Sequence, residues 1–325
     1  MRKYMFALLI FFLAVFFSTF GWRLWVLTPA KKSPVNNRLA NQLKEHVYNL
    51  SFEIGERSMF NYENLDKAAG YIESKFSAYG YDVELQHYRP LDKEARNIIA
   101  VKKGSLDTAD TGGVIIVAAH YDSCFNPGAD DNASGVAVLL ELAKFLADKK
   151  VKNDIRFIAF VNEEPPFFKT ERMGSRVYVK GMKRSKENVK AALILESVGY
   201  FSDKYFSQKY PPGLGMFYPN RADFIGVIGN FSSRALARKV TSGIAAFTDF
   251  GVECFIGFAA IPGVDFSDNW AFWKEGYPAV MVTDTAFYRN SNYHKSSDTY
   301  EKLNYERMAQ IVEGISAVAL YFGNL

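Results

Sequence analysis

The chain has 325 residues, about half of them apolar (49%) and 16% aromatic, which is enough to bury a large core and excludes a disordered chain as the default reading. A formal charge of +4, with no run of lysine or arginine longer than two, leaves no electrostatic footprint for nucleic acid. Two cysteines, Cys124 and Cys254, are too few for a disulfide scaffold and allow one bridge at most.

Arg2 and Lys3 precede an uncharged, mostly apolar run from Tyr4 to Trp22, long enough to cross a bilayer as one helix, with Trp22 and Trp25 placed for the interface. A cleaved signal peptide is the rival, but the run is long for its apolar region and no Ala-x-Ala-type site follows. Residues 1–27 therefore read as a cytoplasmic stub and transmembrane anchor, and the positive residues before the span put everything after Arg23 in the periplasm or outside the cell. Thr28 to Asn37, polar and carrying Pro29 and Pro34, reads as a tether, and one domain is expected from Arg38 to Leu325.

Within that domain there is no internal repeat or low-complexity stretch. Helical periodicity covers about Leu39 to Tyr48 and Asn64 to Ala78, and strands are expected over Tyr81 to Gln86 and Asn97 to Val101. Val114 to Ala119 is a short apolar run ending at His120 and Asp122. A polar loop through Gly128, Asp130, Asp131, Asn132 and Ser134 then enters the apolar helix Val136 to Leu146. Ile155 to Val161 ends at Asn162, Glu163 and Glu164, before Pro165 and Pro166 forbid further strand. Ala191 to Leu195 ends at Glu196, and Ala279 to Val282 ends just before Thr283 and Asp284.

Strands separated by helix-length segments imply crossovers and a mixed, mostly parallel sheet with helices on both faces, a three-layer α/β fold. Ligands of such sheets bind outside the carboxyl ends of the strands, so His120, Glu163, Glu164 and Glu196 are expected to converge. A cleft of imidazole and carboxylate without thiolate suits zinc or another borderline divalent ion. Asp131, in a tight loop at a helix start, is placed to bridge two ions roughly 3.5–4 Å apart, a geometry that serves hydrolysis without a covalent intermediate.

With AAHYDS, GADDNASGVAVLLELA, NEEPPF, LILESVGY and YPAVMVTDTAFYRNSNYH in this order, the chain resembles the zinc-dependent exopeptidases of the M28 aminopeptidase type from about Asn97 to its carboxyl terminus. The resemblance implies that His120 and Glu196 hold one zinc, Glu164 and His294 hold a second, and Asp131 bridges them. It further implies that Glu163 is the general base, that Asp122 orients the His120 ring, and that the substrate is a peptide with a free amino terminus. One departure is visible: members of the family commonly read Ser-Asp-His before the last strand, and this chain reads Ser267, Asp268, Asn269.

Several residues also have plain structural readings. His46 and His87 lack ligand-like neighbours and read as core or surface histidines, and Asp130 reads as a loop-shaping residue. Asp298 either orients a loop or ends one. Phe167 and Phe168 read as core or as cleft rim, and Cys124 as packing or a disulfide partner. Tyr200, Tyr288 and Tyr293 are candidates for an oxyanion donor. Three other functions compete with the aminopeptidase: a glutaminyl cyclase on the same scaffold, which needs one zinc; a non-catalytic ectodomain, which would have lost ligands or base; and a carboxypeptidase of the two-zinc M20 type. The M20 type inserts a lid domain between its last two ligands, and the stretch from Glu196 to His294 does not read as one.

Overall fold

The computed structural model describes residues 36–106 and 112–325. The expected anchor over 1–27 and nearly all of the tether lie outside the described residues, and among those described no helix is long and apolar enough to cross a membrane.

The first helix, α1 (Asn37–Tyr48), starts where the Asn36 side chain accepts the Leu39 N–H at 3.1 Å, a capping bond that satisfies one of the free donors of the first turn. It buries Ala40, Leu43 and Val47 along one face. Helix α2 (Tyr62–Ala78) begins two residues earlier than its periodicity suggests. Strand β1 (Val83–Tyr88) begins two residues later than expected, because Gly80 (φ +86°) turns the chain and Tyr81 drops into the core, where its hydroxyl donates to the Ala143 carbonyl at 2.7 Å.

Apart from short helical turns, the chain continues through β2 (Ala95–Lys102), β3 (Val114–His120), a wide turn over Ala129–Ser134, α3 (Gly135–Leu146), β4 (Asp154–Phe160), α4 (Gly174–Arg184), β5 (Val189–Glu196), β6 (Phe224–Gly229), α5 (Arg234–Ala245), β7 (Gly251–Ile256), α6 (Asn269–Lys274), β8 (Ala279–Thr283) and α7 (Tyr305–Gly323). The strands form one sheet in the order β1-β2-β4-β3-β5-β8-β6-β7. Its centre, β4-β3-β5-β8, is parallel. The pairs β1/β2, β2/β4 and β8/β6 are antiparallel, and β6/β7 is parallel again.

Alternate residues of the central strands feed two separate cores. Ile115, Val117 and Ala119 of β3, with Phe157 of β4 and Leu193 of β5, pack under α1, α2, α3, α5 and α7. Ile116 and Ala118, with Ile158 and Ile194, pack on the other face under α4 and α6. Strands covered on both faces need no polar alternation, which is why β3 and β5 read as continuous apolar runs.

Helix α3 carries the chain from β3 to β4 on one face, and α4 carries it from β4 to β5 on the other. Two crossovers of the same hand on opposite faces place β4 and β5 on either side of β3, so the connections diverge at its carboxyl end and leave a crevice there. The stretch between Glu196 and His294, rather than forming a lid, supplies β6, β7 and β8 to the same sheet.

Candidate metal centre

His120 is the last residue of β3 and is fully buried. Its Nδ1 lies 3.2 Å from the Asp122 carbonyl and 3.5 Å from the Asp122 carboxylate, so the ring is fixed from behind. Its Nε2 points into the crevice, 3.2 Å from Asp131 Oδ1, 3.2 Å from Glu196 Oε2 and 3.9 Å from Glu163 Oε2. Across the crevice, His294 Nε2 lies 3.1 Å from Asp131 Oδ2 and 3.2 Å from Glu164 Oε2. Asp131 thus presents one oxygen to each imidazole. Despite these short distances, both Nε2 atoms are buried without a hydrogen-bond partner, as is Glu164 Oε1.

Local backbone geometry accounts for this convergence. The Asp122 carboxylate accepts the N–H groups of Glu163 at 3.1 Å and Glu164 at 3.0 Å, so one side chain orients the His120 ring and also fixes the turn that displays two more carboxylates. That turn follows Asn162, which holds a positive φ of +61°. Glu196 ends β5 and accepts the Ser267 hydroxyl at 2.7 Å. His294 itself sits at φ +56°, a conformation uncommon for a residue with a Cβ.

The Ala129–Ser134 turn is braced from three sides. Asp298 accepts the N–H groups of Asp130 and Asp131, both at 3.2 Å or less. Gly128, at φ +56°, has no room for a Cβ, which would lie 2.4 Å from the Asp131 carbonyl. Asn132 donates to the Leu195 carbonyl at 2.8 Å and accepts the N–H groups of Gly135 at 3.0 Å and Ser197 at 3.1 Å, tying the start of α3 to the end of β5. Beneath the loop the fully buried Arg57 donates to the carbonyls of Tyr121, Pro127 and Gly128.

All seven residues singled out in the sequence lie in or directly behind this crevice: His120, Asp122, Asp131, Glu163, Glu164, Glu196 and His294. Asp130 turns away, accepting Gly199 N–H at 3.0 Å and Asn290 Nδ2 at 2.8 Å, which accords with its reading as a loop-shaping residue. Asp298 orients the loop. His46 is a satisfied core histidine between Tyr71 (2.7 Å) and Glu141 (3.0 Å), and His87 is a half-exposed strand residue beside Glu94. Arg57, Asn132 and Ser267 were missed. Asn132 and Ser267 at least lie in the motif stretches, Ser267 in the very tripeptide where the chain departs from Ser-Asp-His, whereas Arg57 stands far from any motif and carried no signal.

Cys124 is neither buried packing nor half of a disulfide: both cysteines are free thiols, and Cys124 lies beside Glu164 and His294. Phe167 is core, whereas Phe168 packs edge-on against Phe266 at the rim of the cleft. Of the three tyrosines, Tyr293 stacks on the His294 ring at 3.9 Å, Tyr288 donates to the Pro262 carbonyl, and Tyr200 packs against the core.

The electrostatics are dominated by buried carboxylates held close together. Burial and neighbouring carboxylates raise Glu164 to about 8, and hold Glu163 and Glu196 above the usual carboxyl range against the pull of His120. Burial also raises Asp268 and Asp298 to about 7. His120 and His294 are driven up by the same carboxylates even though burial opposes it. Asp131 lies below its usual range, because its contacts with both imidazoles outweigh its burial. Carboxylates that can neither spread apart nor reach water favour bound cations. Among the described residues, the atoms that could hold a metal ion fall into two groups, His120-Asp131-Glu196 and Cys124-Glu164-His294, and the imidazole and carboxylate donors suit zinc.

A mostly apolar cleft opens from Glu196 and Tyr293, walled by Tyr218, Phe255, Phe266 and Phe287.

Over 329 residues the chain is 38% identical to the uncharacterized protein YfbL of Escherichia coli, covering 97% of this chain and 98% of YfbL. It is 30% identical over 227 residues to the aminopeptidase YwaD of Bacillus subtilis, a match spanning 70% of this chain but only 44% of YwaD. Among solved structures, the zinc aminopeptidase BSAP of Bacillus subtilis superimposes with a TM-score of 0.68 at 17% identity, over 89% of this chain and 96% of that one. A glutaminyl cyclase of Bacteroides thetaiotaomicron superimposes with a TM-score of 0.64 at 18% identity, over 87% of this chain and 97% of that one. At those identities the structures speak for the fold alone. Residues 97–319 match Peptidase family M28, and the chain belongs to that family.

Proposed function

We propose that this M28 peptidase is a two-metal aminopeptidase that removes residues from the free amino terminus of peptides. The observation that supports it most is the stance of Asp131, with one oxygen toward His120 Nε2 and the other toward His294 Nε2, while neither nitrogen has a hydrogen-bond partner. In this reading His120, Glu196 and Asp131 hold one zinc ion, and Glu164, His294 and Asp131 hold the other. When bound, the pair supplies Lewis acidity to a peptide carbonyl and lowers the pKa of water.

The chain's own residues do the rest. Glu163 has its carboxylate 3.9 Å from His120 Nε2 and its backbone fixed by Asp122, so it can take a proton from attacking water and return it to the departing amine. The similarity to a protein named as an aminopeptidase supports amino-terminal over carboxy-terminal action. The apolar cleft beside Glu196 offers room for an apolar terminal side chain.

We also propose that residues 1–27 anchor the chain in a membrane and that the catalytic domain, from about Arg38, faces the periplasm or the cell exterior. The support is the uncharged run from Tyr4 to Trp22 behind Arg2 and Lys3.

The test combines zinc per chain with release of a chromophore from unblocked and N-acetylated aminoacyl substrates. Two zincs and cleavage of the unblocked substrate alone are expected. A second reading, a glutaminyl cyclase, draws support from the cyclase fold among the solved structures. One zinc with cyclisation of amino-terminal glutamine and no cleavage would establish it instead. For the anchor, the full chain should sediment with membranes and a chain starting at Arg38 should not.

A further inference from the structure

Cys124 has no task in the reading above, yet its position is specific. It stands in the loop after β3, two residues beyond Asp122, as a free thiol. Its Sγ, a carboxylate oxygen of Glu164 and a ring nitrogen of His294 all lie within 4.8 Å of one another. Glu164 is only 4% exposed, and both its Oε1 and His294 Nε2 are buried without a hydrogen-bond partner. Two electron-pair donors, a carboxylate oxygen and a ring nitrogen, thus share a small space with a sulfur atom. A carboxylate and an imidazole would each be better satisfied by a cation than by each other, and a cation between them would stand within reach of the sulfur.

We infer that Cys124 is a sulfur donor to the ion held by Glu164 and His294. The inference rests on the two-metal reading. Binding breaks the S–H bond, the proton leaves to solvent, and the thiolate electron pair is donated to the ion, so no oxidant or further reactant is needed. The two positions then differ in kind. His120, Asp131 and Glu196 form a nitrogen and oxygen site, whereas the second site adds a soft sulfur, which favours zinc or cadmium over magnesium or manganese. The ion in the sulfur-containing site should be the harder of the two to remove with a chelator.

Cobalt(II) tests this without reference to turnover, because thiolate coordination gives a near-ultraviolet charge-transfer band, while coordination by any of these donors gives visible bands. The full chain is stripped of metal, refilled with cobalt(II) and titrated spectrophotometrically. The wild type and Cys254→Ser are expected to show the near-ultraviolet band. Cys124→Ser and Cys124→Ala are expected to lose it, to keep the visible bands, and to bind one of the two ions about tenfold or more weakly, at least the loss seen for residues that merely orient a ligand. Visible bands without the near-ultraviolet band in the wild type would overturn the sulfur ligand and leave the two-metal reading standing. Persistence of the band in Cys124→Ser would overturn it as well. If no cobalt binds at all, both fall.

Discussion

Asp298 accepts the backbone N–H of Asp131 at 3.2 Å across 167 residues of sequence, so the carboxyl-terminal loop decides how Asp131 faces the two imidazoles. Its other oxygen accepts the neighbouring Asp130 N–H at 3.1 Å. Asp298→Ala removes both acceptors and frees the turn to rotate. Metal affinity measured by competition with a chromophoric chelator should fall roughly 10- to 100-fold, with Asp298→Asn falling less because one acceptor oxygen remains. Unchanged affinity in the alanine variant would show that the turn holds its shape without Asp298.

Glu163→Gln keeps the shape of the side chain and removes its basicity. Metal content should stay at the wild-type value while turnover of an unblocked aminoacyl substrate falls about 10²- to 10⁴-fold. Asp131→Ala should instead lose metal together with activity. Wild-type turnover in Glu163→Gln would place the proton acceptor elsewhere.

Asn132 makes three buried hydrogen bonds that join α3 to β5, to Leu195, Gly135 and Ser197. Asn132→Ala leaves those backbone groups unpaired in a place water does not reach, and should lower unfolding free energy by roughly 2–4 kcal/mol in urea denaturation. Asn132→Asp loses the donor to the Leu195 carbonyl and buries a further carboxylate, so it should fall at least as far.

His46 on α1 and Glu141 on α3 pair at 3.0 Å under the helical face of the sheet. Burial pushes the Glu141 carboxyl up, but the His46 contact and Lys144 pull it below its usual value. A carboxyl depressed in the folded state stabilises the fold above its unfolded pKa, and that contribution is lost as pH falls through the depressed value. His46→Leu should therefore be markedly less stable than the wild type near neutral pH, with the gap narrowing once the pH drops below the usual carboxyl range. A constant gap in melting temperature across that range would show that the pair contributes through packing alone.

Much of the crevice could be found in the sequence because its walls are local. A strand buried on both faces is an apolar run, and such a run stops where the chain emerges at the carboxyl edge. His120, the Glu163-Glu164 pair and Glu196 are therefore marked by the ends of β3, β4 and β5, and the Asp130-Asp131 loop by the helix start that follows it. Strands β6 and β7 and the insertion of β8 between β5 and β6 left no such mark, since pairing between distant segments has no local pattern. The same limit applies inside the site. That Asp131 and not Asp130 faces the imidazoles depends on bracing by Asp298 and on the space denied at Gly128. The approach of Cys124 to His294 and of Ser267 to Glu196 joins segments far apart in the chain. Periodicity and motif determined which residue types reach the carboxyl edge of the sheet; only the folded chain, by closing long loops against one another, decided which of their atoms meet.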